Sequence, residues 1–377
     1  MANFDNGLAG TYFLEAFRNS PPGNQTLNWI FSQSSNDTLV DQIEDGKAWA
    51  SVYMNAGTSD RLNQVIQSIS TGNLSRLSYV PSSATTIVYD QGRNFNTVNG
   101  YLLPPIRAAI AVASARYANY IQSQPVRRSN ATVANVIAAV TLANIAYSPI
   151  GSTSINLHPA VPYVSFLATS LGYLFLWLTT ASLVAMSVRI TQPLAGKVKI
   201  IDIVFIRISN TLFNGLIISL IYSLVVLWFA DFTRAVPFIR FWLFNWLCAI
   251  TFTVIIALFV TNLGPLAQMA LTLFLIINLA SSSSNLAIEL QNRFYRIGYG
   301  LPLFHCFSGG RHLLFGSYTR LNVDIAVLFA YCFAALILIL ITGIYRMRKQ
   351  EALVIKKNRE EALKKMAPAR VMNNKKV

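Results

Sequence analysis

From about residue 163 onward, long apolar runs alternate with short polar breaks; before that, apolar positions recur in short periods among polar ones. Five runs come close to the ~20 residues that cross a bilayer as a helix: 163–186, 204–229, 241–260, 266–284 and 325–345. The stretch 241–315 organises the rest. It holds two of these runs, joined by Asn262-Leu263-Gly264-Pro265. A segment then follows that mixes aromatics with single cations, the composition of a membrane–water boundary.

Residues 1–160 read as one mixed α/β domain. Residues 8–17 fit a short amphipathic helix and 38–46 a second, with Asn36 or Asp37 as cap. Residues 49–54 and 85–89 are rich in β-branched and aromatic side chains and are bounded by Asn, Gly and Ser, which predicts strands. A turn is expected at 90–94. Residues 98–122 form a helical pattern interrupted at Pro104-Pro105, and Ser129 or Asn130 caps a further helix through about Ala146. Residues 151–162 then serve as a linker into the membrane.

Composition agrees with a membrane protein. Of 377 residues, 54% are hydrophobic and 12% charged, against roughly 25% charged in soluble domains. The formal charge of +15 is uneven: residues 1–160 hold nine Lys/Arg and eight Asp/Glu, whereas 346–377 hold eleven Lys/Arg and three Glu. A basic block directly after an apolar run fits the cytoplasmic excess of positive charge and contact with anionic lipid. Nucleic acid is not an expected partner. Cys248, Cys306 and Cys332 lie in or beside apolar segments with no metal or disulfide spacing, so they are expected only to pack.

Four Asn-x-Ser/Thr sequons, at Asn24, Asn36, Asn73 and Asn130, all fall before residue 160, as expected of a domain facing the lumen or exterior. Arg189, Lys197 and Lys199 make the first loop of the membrane half basic, while Asp231, Arg234 and Arg240 leave the next nearly neutral. The predicted topology therefore has residues 1–160 outside, five crossings and a cytoplasmic tail, in the plasma membrane or secretory pathway. A hydrophilic domain of this size needs an apolar segment ahead of it, unless the first span exports its own N-terminus. The expectation is a further span before Met1, without which this chain misinserts.

Polar residues inside the runs are candidate site residues. Arg207, Asn210 and Asn214 are spaced to share one helix face, and Asn278, Ser281, Ser282, Asn285 and Glu289 make a similar stripe. Such residues face a bundle interior or a wet cavity. Two readings follow: a polar seam that contacts substrate, or hydrogen bonding between helices with Arg207 reaching the surface. No partner acid or cation stands at matching depth, which favours the second.

Residues 289–315 are predicted to form a helical, re-entrant hairpin on the outer surface. Gly298, Gly300 and Pro302 break any long helix there, and Arg293, Arg296 and Arg311 could not sit unpaired in lipid. Tyr295, Tyr299, Phe304 and Phe307 would anchor it, and Glu289 would pair with Arg293, Arg296 or Arg311. His305 and His312 lack a Cys or carboxylate partner in sequence, so they are read as packing or surface residues rather than metal ligands. There is no phosphate-binding loop, no G-x-S-x-G and no H-E-x-x-H. No catalytic residue, cofactor or metal is expected.

Several segments carry a resemblance. Phe244-Asn245-Trp246, the run Asn278 to Asn285, and Phe294 to His305 ending in Gly310-Arg311 resemble the fungal nitrosoguanidine-resistance membrane proteins. That family contains a domain of unknown function related to type-2 ABC-transporter permeases. Asn3-Phe4-Asp5-Asn6-Gly7 is similar to its V-x-[DN]-F-D-x-G strand end, and Tyr89 to Asn94 to its Y-x-x-G-R-[DN] turn. The resemblance implies one helix, an external domain and five further helices; the first helix does not precede Asn3 here. It also implies tolerance to toxic compounds through drug or lipid export, and supplies no catalytic residues. The expected fold is thus an α-helical multi-pass bundle with an N-terminal α/β extracytoplasmic domain. Membrane lipids are the expected partners, with self-association or other membrane proteins beside them. The expected role is to export, or regulate the membrane distribution of, an amphipathic compound or lipid. A non-transporting scaffold acting through its external domain is the alternative.

Overall fold

The structure, a computed structural model, describes residues 1–19, 27–70, 79–123, 145, 147–194, 198, 200–230 and 237–345. The sequons at Asn24, Asn73 and Asn130, nearly all of the helix expected after Ser129, the charges Lys197, Lys199, Asp231 and Arg234, and the basic tail lie outside the described residues.

The N-terminal domain is built on a four-stranded sheet in the order β1 (Ala2–Asn3), β2 (Ala50–Met54), β3 (Thr85–Tyr89), β4 (Ser152–Asn156). β1 runs parallel to β2, β2 antiparallel to β3, and β3 parallel to β4. Because side chains alternate across a strand, Val52, Met54, Ile87 and Tyr89 meet one face while Tyr53 and Val88 meet the other. Helices α1 (Leu8–Arg18), α3 (Thr58–Ser70) and α4 (Leu103–Ser123) cover the first face, burying Phe13, Phe17, Leu62, Ile106 and Tyr117. α2 (Asn36–Glu44) covers the second with Leu39 and Ile43. Every residue of β3 is buried, as befits a β-branched strand covered on both faces.

Three local expectations change. Ser35, extended and accepting from the Thr38 amide, caps α2 in place of Asn36 or Asp37. Pro104 and Pro105 do not end the helix: helical residues 95–97 and a π-helical turn at 98–102 lead directly into α4, and the chain stays helical through Ser123. The linker expected at 151–162 contains β4, which its Ser/Thr-rich sequence hides because only Ile155 is apolar.

The membrane half follows directly. Its helices are α5 (Tyr163–Ala168), α6 (Leu171–Thr191), α7 (Ile200–Ala230), α8 (Phe238–Leu263), α9 (Ala267–Ala280), α10 (Pro302–Phe315) and α11 (Leu321–Tyr345). In α6 the buried set Tyr173, Leu176, Trp177, Thr180, Val184 and Ser187 recurs every three or four residues, while Phe175, Leu178 and Met186 point outward. A helix apolar on all sides is stable facing lipid, not water. The core joins Tyr173 and Trp177 to Phe244, Cys248 and Phe252 of α8, Leu271 of α9, Cys306 and Phe307 of α10, and Leu328 of α11. All three cysteines are buried and free.

Among the described residues four segments, not five, are long and apolar enough to cross a membrane: Tyr163–Leu194, Phe205–Trp228, Phe238–Ala280 and Leu321–Tyr345. The third takes in two of the expected spans. Its second arm, α9, has 14 residues, about 21 Å at 1.5 Å each and short of a ~30 Å hydrocarbon core. α9 nonetheless folds back along α8: Phe259 and Phe274 rings lie 5.5 Å apart, and Trp177 touches both Phe252 and Phe274. The reversal turns on Gly264, whose φ of 53° favours glycine.

Candidate functional site

The turn after β3 carries the domain onto the bundle. Asp90 is buried; its Oδ2 accepts from the Tyr318 amide at 3.3 Å and lies 3.2 Å from His158 Nδ1. Asn94 is likewise buried. Its Oδ1 accepts from the Thr97 amide, and its Nδ2 donates to the Ser283 carbonyl at 2.9 Å. The same carbonyl accepts from Arg311 Nη1 at 3.0 Å, while Arg311 also donates to the carbonyls of Arg93 and Ser284, each at 3.1 Å. Ser283 has φ 60°, a left-handed conformation uncommon outside glycine, which directs its carbonyl at both donors. The Ala287 amide donates to Thr97 Oγ1, adding a further bond between the two halves.

Beside this joint lies a cavity of about 470 Å³ of mixed lining, walled by Trp49 and Arg93 of the domain, Ser283, Glu289 and Tyr299, then His305, Ser308 and Arg311, and finally Tyr318, Arg320 and Asp324. Arg311, 3% exposed, stacks on Phe166 at 4.5 Å and Phe307 at 5.9 Å. Burial lowers its pKa to about 9, so it remains charged at neutral pH. Arg93 lies 3.9 Å over Trp49 and donates to the Ala48 carbonyl. Burial lowers its pKa as well, opposed by the charges of Glu289 and Asp90.

On the opposite wall His305 Nδ1 lies 2.7 Å from Asp324 Oδ1, and its Nε2 lies 3.0 Å from the Tyr299 carbonyl. A carbonyl only accepts, so Nε2 carries a hydrogen. Asp324 Oδ2 accepts from Thr319, whose hydroxyl pairs with that of Ser308. Nε2 is thus committed to main chain, and the Ser308 hydroxyl is held by Thr319. Both ring nitrogens of His305 and the hydroxyls of Ser308 and Thr319 are engaged within one network. Among the described residues no group of three His, Cys, Asp or Glu side chains could hold a metal ion.

A second hollow, about 580 Å³, opens between α5–α6 and α7. It is lined by Leu167, Leu171, Phe175, Thr179, Ile218, Ile221 and Val225, almost all apolar. Gly172 lets α7 approach at its floor, because a Cβ there would stand 2.7 Å from the Tyr222 hydroxyl, which itself donates to the Ala168 carbonyl.

The structure separates the expected polar residues. Arg207 donates to Thr191, Asn210 to Ser187, and Asn214 to Asn210, so this face ties α7 to α6. The second stripe does not exist as a stripe: α9 ends at Ala280, so Asn278 is buried in the bundle while Asn285 and Glu289 lie on exposed turns. Glu289 makes no ion pair with Arg293, Arg296 or Arg311 among the described residues; it accepts from the Tyr299 hydroxyl at 3.1 Å. Arg293 and Arg296 are exposed on a 3-10 turn, Arg293–Gly300, and Pro302 opens α10. His305, expected to lack a carboxylate, has Asp324; His312 instead contacts the Ser317 carbonyl. Phe307 is not a headgroup anchor, being 1% exposed in the bundle core. Asp90, Arg93 and Asn94 were legible only as a turn, and nothing local in the sequence marks them as facing Arg311.

Apolar helices joined through a buried polar joint to an α/β domain define a multi-helix membrane protein. The chain belongs to a family described as a protein of unknown function (DUF3533), whose profile matches residues 3–337. No curated protein and no solved structure matches it.

Proposed function

We propose that this protein binds amphipathic compounds or lipids within the membrane and changes their distribution, so conferring tolerance to toxic compounds. The carrying observation is the apolar hollow between α6 and α7. From Leu171 to Thr179 it extends about 12 Å along α6, most of the ~15 Å of one leaflet in a ~30 Å core. Its lining suits a hydrocarbon tail, and its upper rim, Val164 and Leu167, lies at the domain end where a polar head would stay wet. The resemblance to nitrosoguanidine-resistance proteins, related to type-2 permeases, agrees with export or redistribution.

In this reading residues 1–160 are extracytoplasmic, α8 and α9 form a crossing hairpin, and the tail is cytoplasmic, at the plasma membrane or along the secretory pathway. The exposed Asn36 sequon supports that sidedness. Reporters placed after Tyr345 should escape glycosylation, whereas Asn36→Gln should reduce the glycosidase-sensitive shift by one glycan. The alternative of a non-transporting scaffold draws on the joint at Arg311, which ties the domain to the bundle through three hydrogen bonds.

The deciding experiment reconstitutes full-length protein in liposomes and follows movement of a fluorescent lipid between leaflets. Val225→Trp, which fills the hollow from an exposed position, should abolish movement without unfolding the protein. Movement equal to protein-free liposomes would leave the scaffold reading in place.

A further inference from the structure

The cavity at the joint holds more cations than it pairs, the charges of Glu289 and Asp90 reaching Arg93 only from beyond ion-pair distance. Three arginines, Arg93, Arg311 and Arg320, line it with two carboxylates, Glu289 and Asp324. Both carboxylates are engaged: Asp324 by His305 and Thr319, Glu289 by Tyr299. Among the described residues neither Arg93 nor Arg311 has a carboxylate within the 4.0 Å of an ion pair. Arg311 spends its hydrogen bonds on neutral carbonyls, and its buried Nε has no partner among the described residues. Among the described residues Arg93 donates one hydrogen bond, to the Ala48 carbonyl, of the five a guanidinium offers. Burying a guanidinium without a counter-charge is costly, and the pKa depression at both arginines follows from that desolvation.

The geometry points to this cavity as a binding site for a phosphate group, with Arg93 and Arg311 as its cationic wall. A phosphate presents several acceptor oxygens and up to two charges, which suits paired guanidinium forks better than one carboxylate would. The cavity, about 470 Å³, opens where α9 ends and α11 begins, the level at which lipid headgroups meet helices that cross a bilayer. A phosphodiester headgroup and a free phosphate share this chemistry. The inference is separate from the apolar hollow and does not require transport.

The test titrates purified full-length protein in detergent with inorganic phosphate, and separately with micelles containing dioleoylphosphatidylglycerol, dioleoylglycerol or oleate, read by calorimetry. At least one phosphate probe should bind saturably; binding of the lipid alone identifies a headgroup, and binding of inorganic phosphate identifies a free anion. Arg93→Gln should weaken binding by about tenfold or more and Arg93→Lys by much less, as a charge-assisted contact requires. Glu289→Gln, on the exposed rim, should tighten binding by removing a repelling carboxylate, an effect no purely structural role would give. The inference is overturned if neither phosphate probe binds, if dioleoylglycerol or oleate binds as well as the phospholipid, or if Arg93→Gln and Glu289→Gln leave affinity unchanged.

Discussion

Arg311 Nη1 donates to the main-chain carbonyl of Arg93 at 3.1 Å, across 218 residues of chain. That bond, with those to Ser283 and Ser284, makes one side chain the hinge pin between domain and bundle. Arg311→Ala removes three charge-assisted hydrogen bonds and the stacking on Phe166. A loss of about 3 kcal/mol is expected, since each such bond is worth ~1.5–3 kcal/mol before relaxation. Arg311→Lys should fall between, as an ammonium cannot reach three fixed carbonyls in a plane. Thermal unfolding in detergent measures this, and an unchanged Tm for the alanine variant would refute the assignment.

Two glycines two residues apart should behave oppositely. A Cβ on Gly298 would stand 1.7 Å from the Ser281 carbonyl oxygen, whereas one on Gly300 meets nothing within 4 Å. Gly298→Ala must push apart the 3-10 turn and the end of α9, costing about 1–3 kcal/mol or more. Gly300→Ala should stay within about ±0.5 kcal/mol. Equal melting temperatures for the two variants would show that the turn does not seat against Ser281.

His305 and Asp324, each about 5% exposed at the side chain, form a buried pair between α10 and α11. Breaking such a pair by one substitution costs about 3–5 kcal/mol, because the survivor stays buried and unpaired. Asp324→Asn and His305→Gln should therefore each destabilise strongly, and the double variant by clearly less than their sum. Additive losses in a double-mutant cycle would mean the two side chains do not act as a pair.

Tyr299 supplies a pH dependence. Burial first, then the charge of Glu289 and its hydrogen bond, push the phenol up to about 12 from 10.0. The folded state therefore favours the protonated form. This contribution is fully present below pH 10, and it is lost as pH rises through about 12. Absorbance titration of wild type minus Tyr299→Phe should isolate a phenolate step near 12, which Glu289→Gln moves downward. A step centred on 10 would contradict the contact.

What the sequence reveals here depends on the range of the interaction. Helices at 8–18 and 171–191 and the strands at 50–54 and 85–89 are legible because their periodicity is local. β4 is not, since a Ser/Thr strand declares itself only through pairing with β3. The polar stripe expected through Asn278, Asn285 and Glu289 fails because it needs the helix to continue past Ala280, where three serines and the left-handed Ser283 end it. Both halves of the joint, 90–94 and 294–311, stand out as unusual segments, yet their meeting is tertiary and has no signature in either. The carboxylate for His305 sits 19 residues on, beyond any helical spacing.

The three acceptors that Arg311 uses at the joint are all main-chain carbonyls, those of Arg93, Ser283 and Ser284, and Asn94 donates to that of Ser283 as well. A substitution at position 284 changes a side chain without touching the oxygen that Arg311 reads. The side chain at 284 can therefore change while the joint still closes, whereas position 311 must keep its arginine and position 283 must tolerate a left-handed backbone.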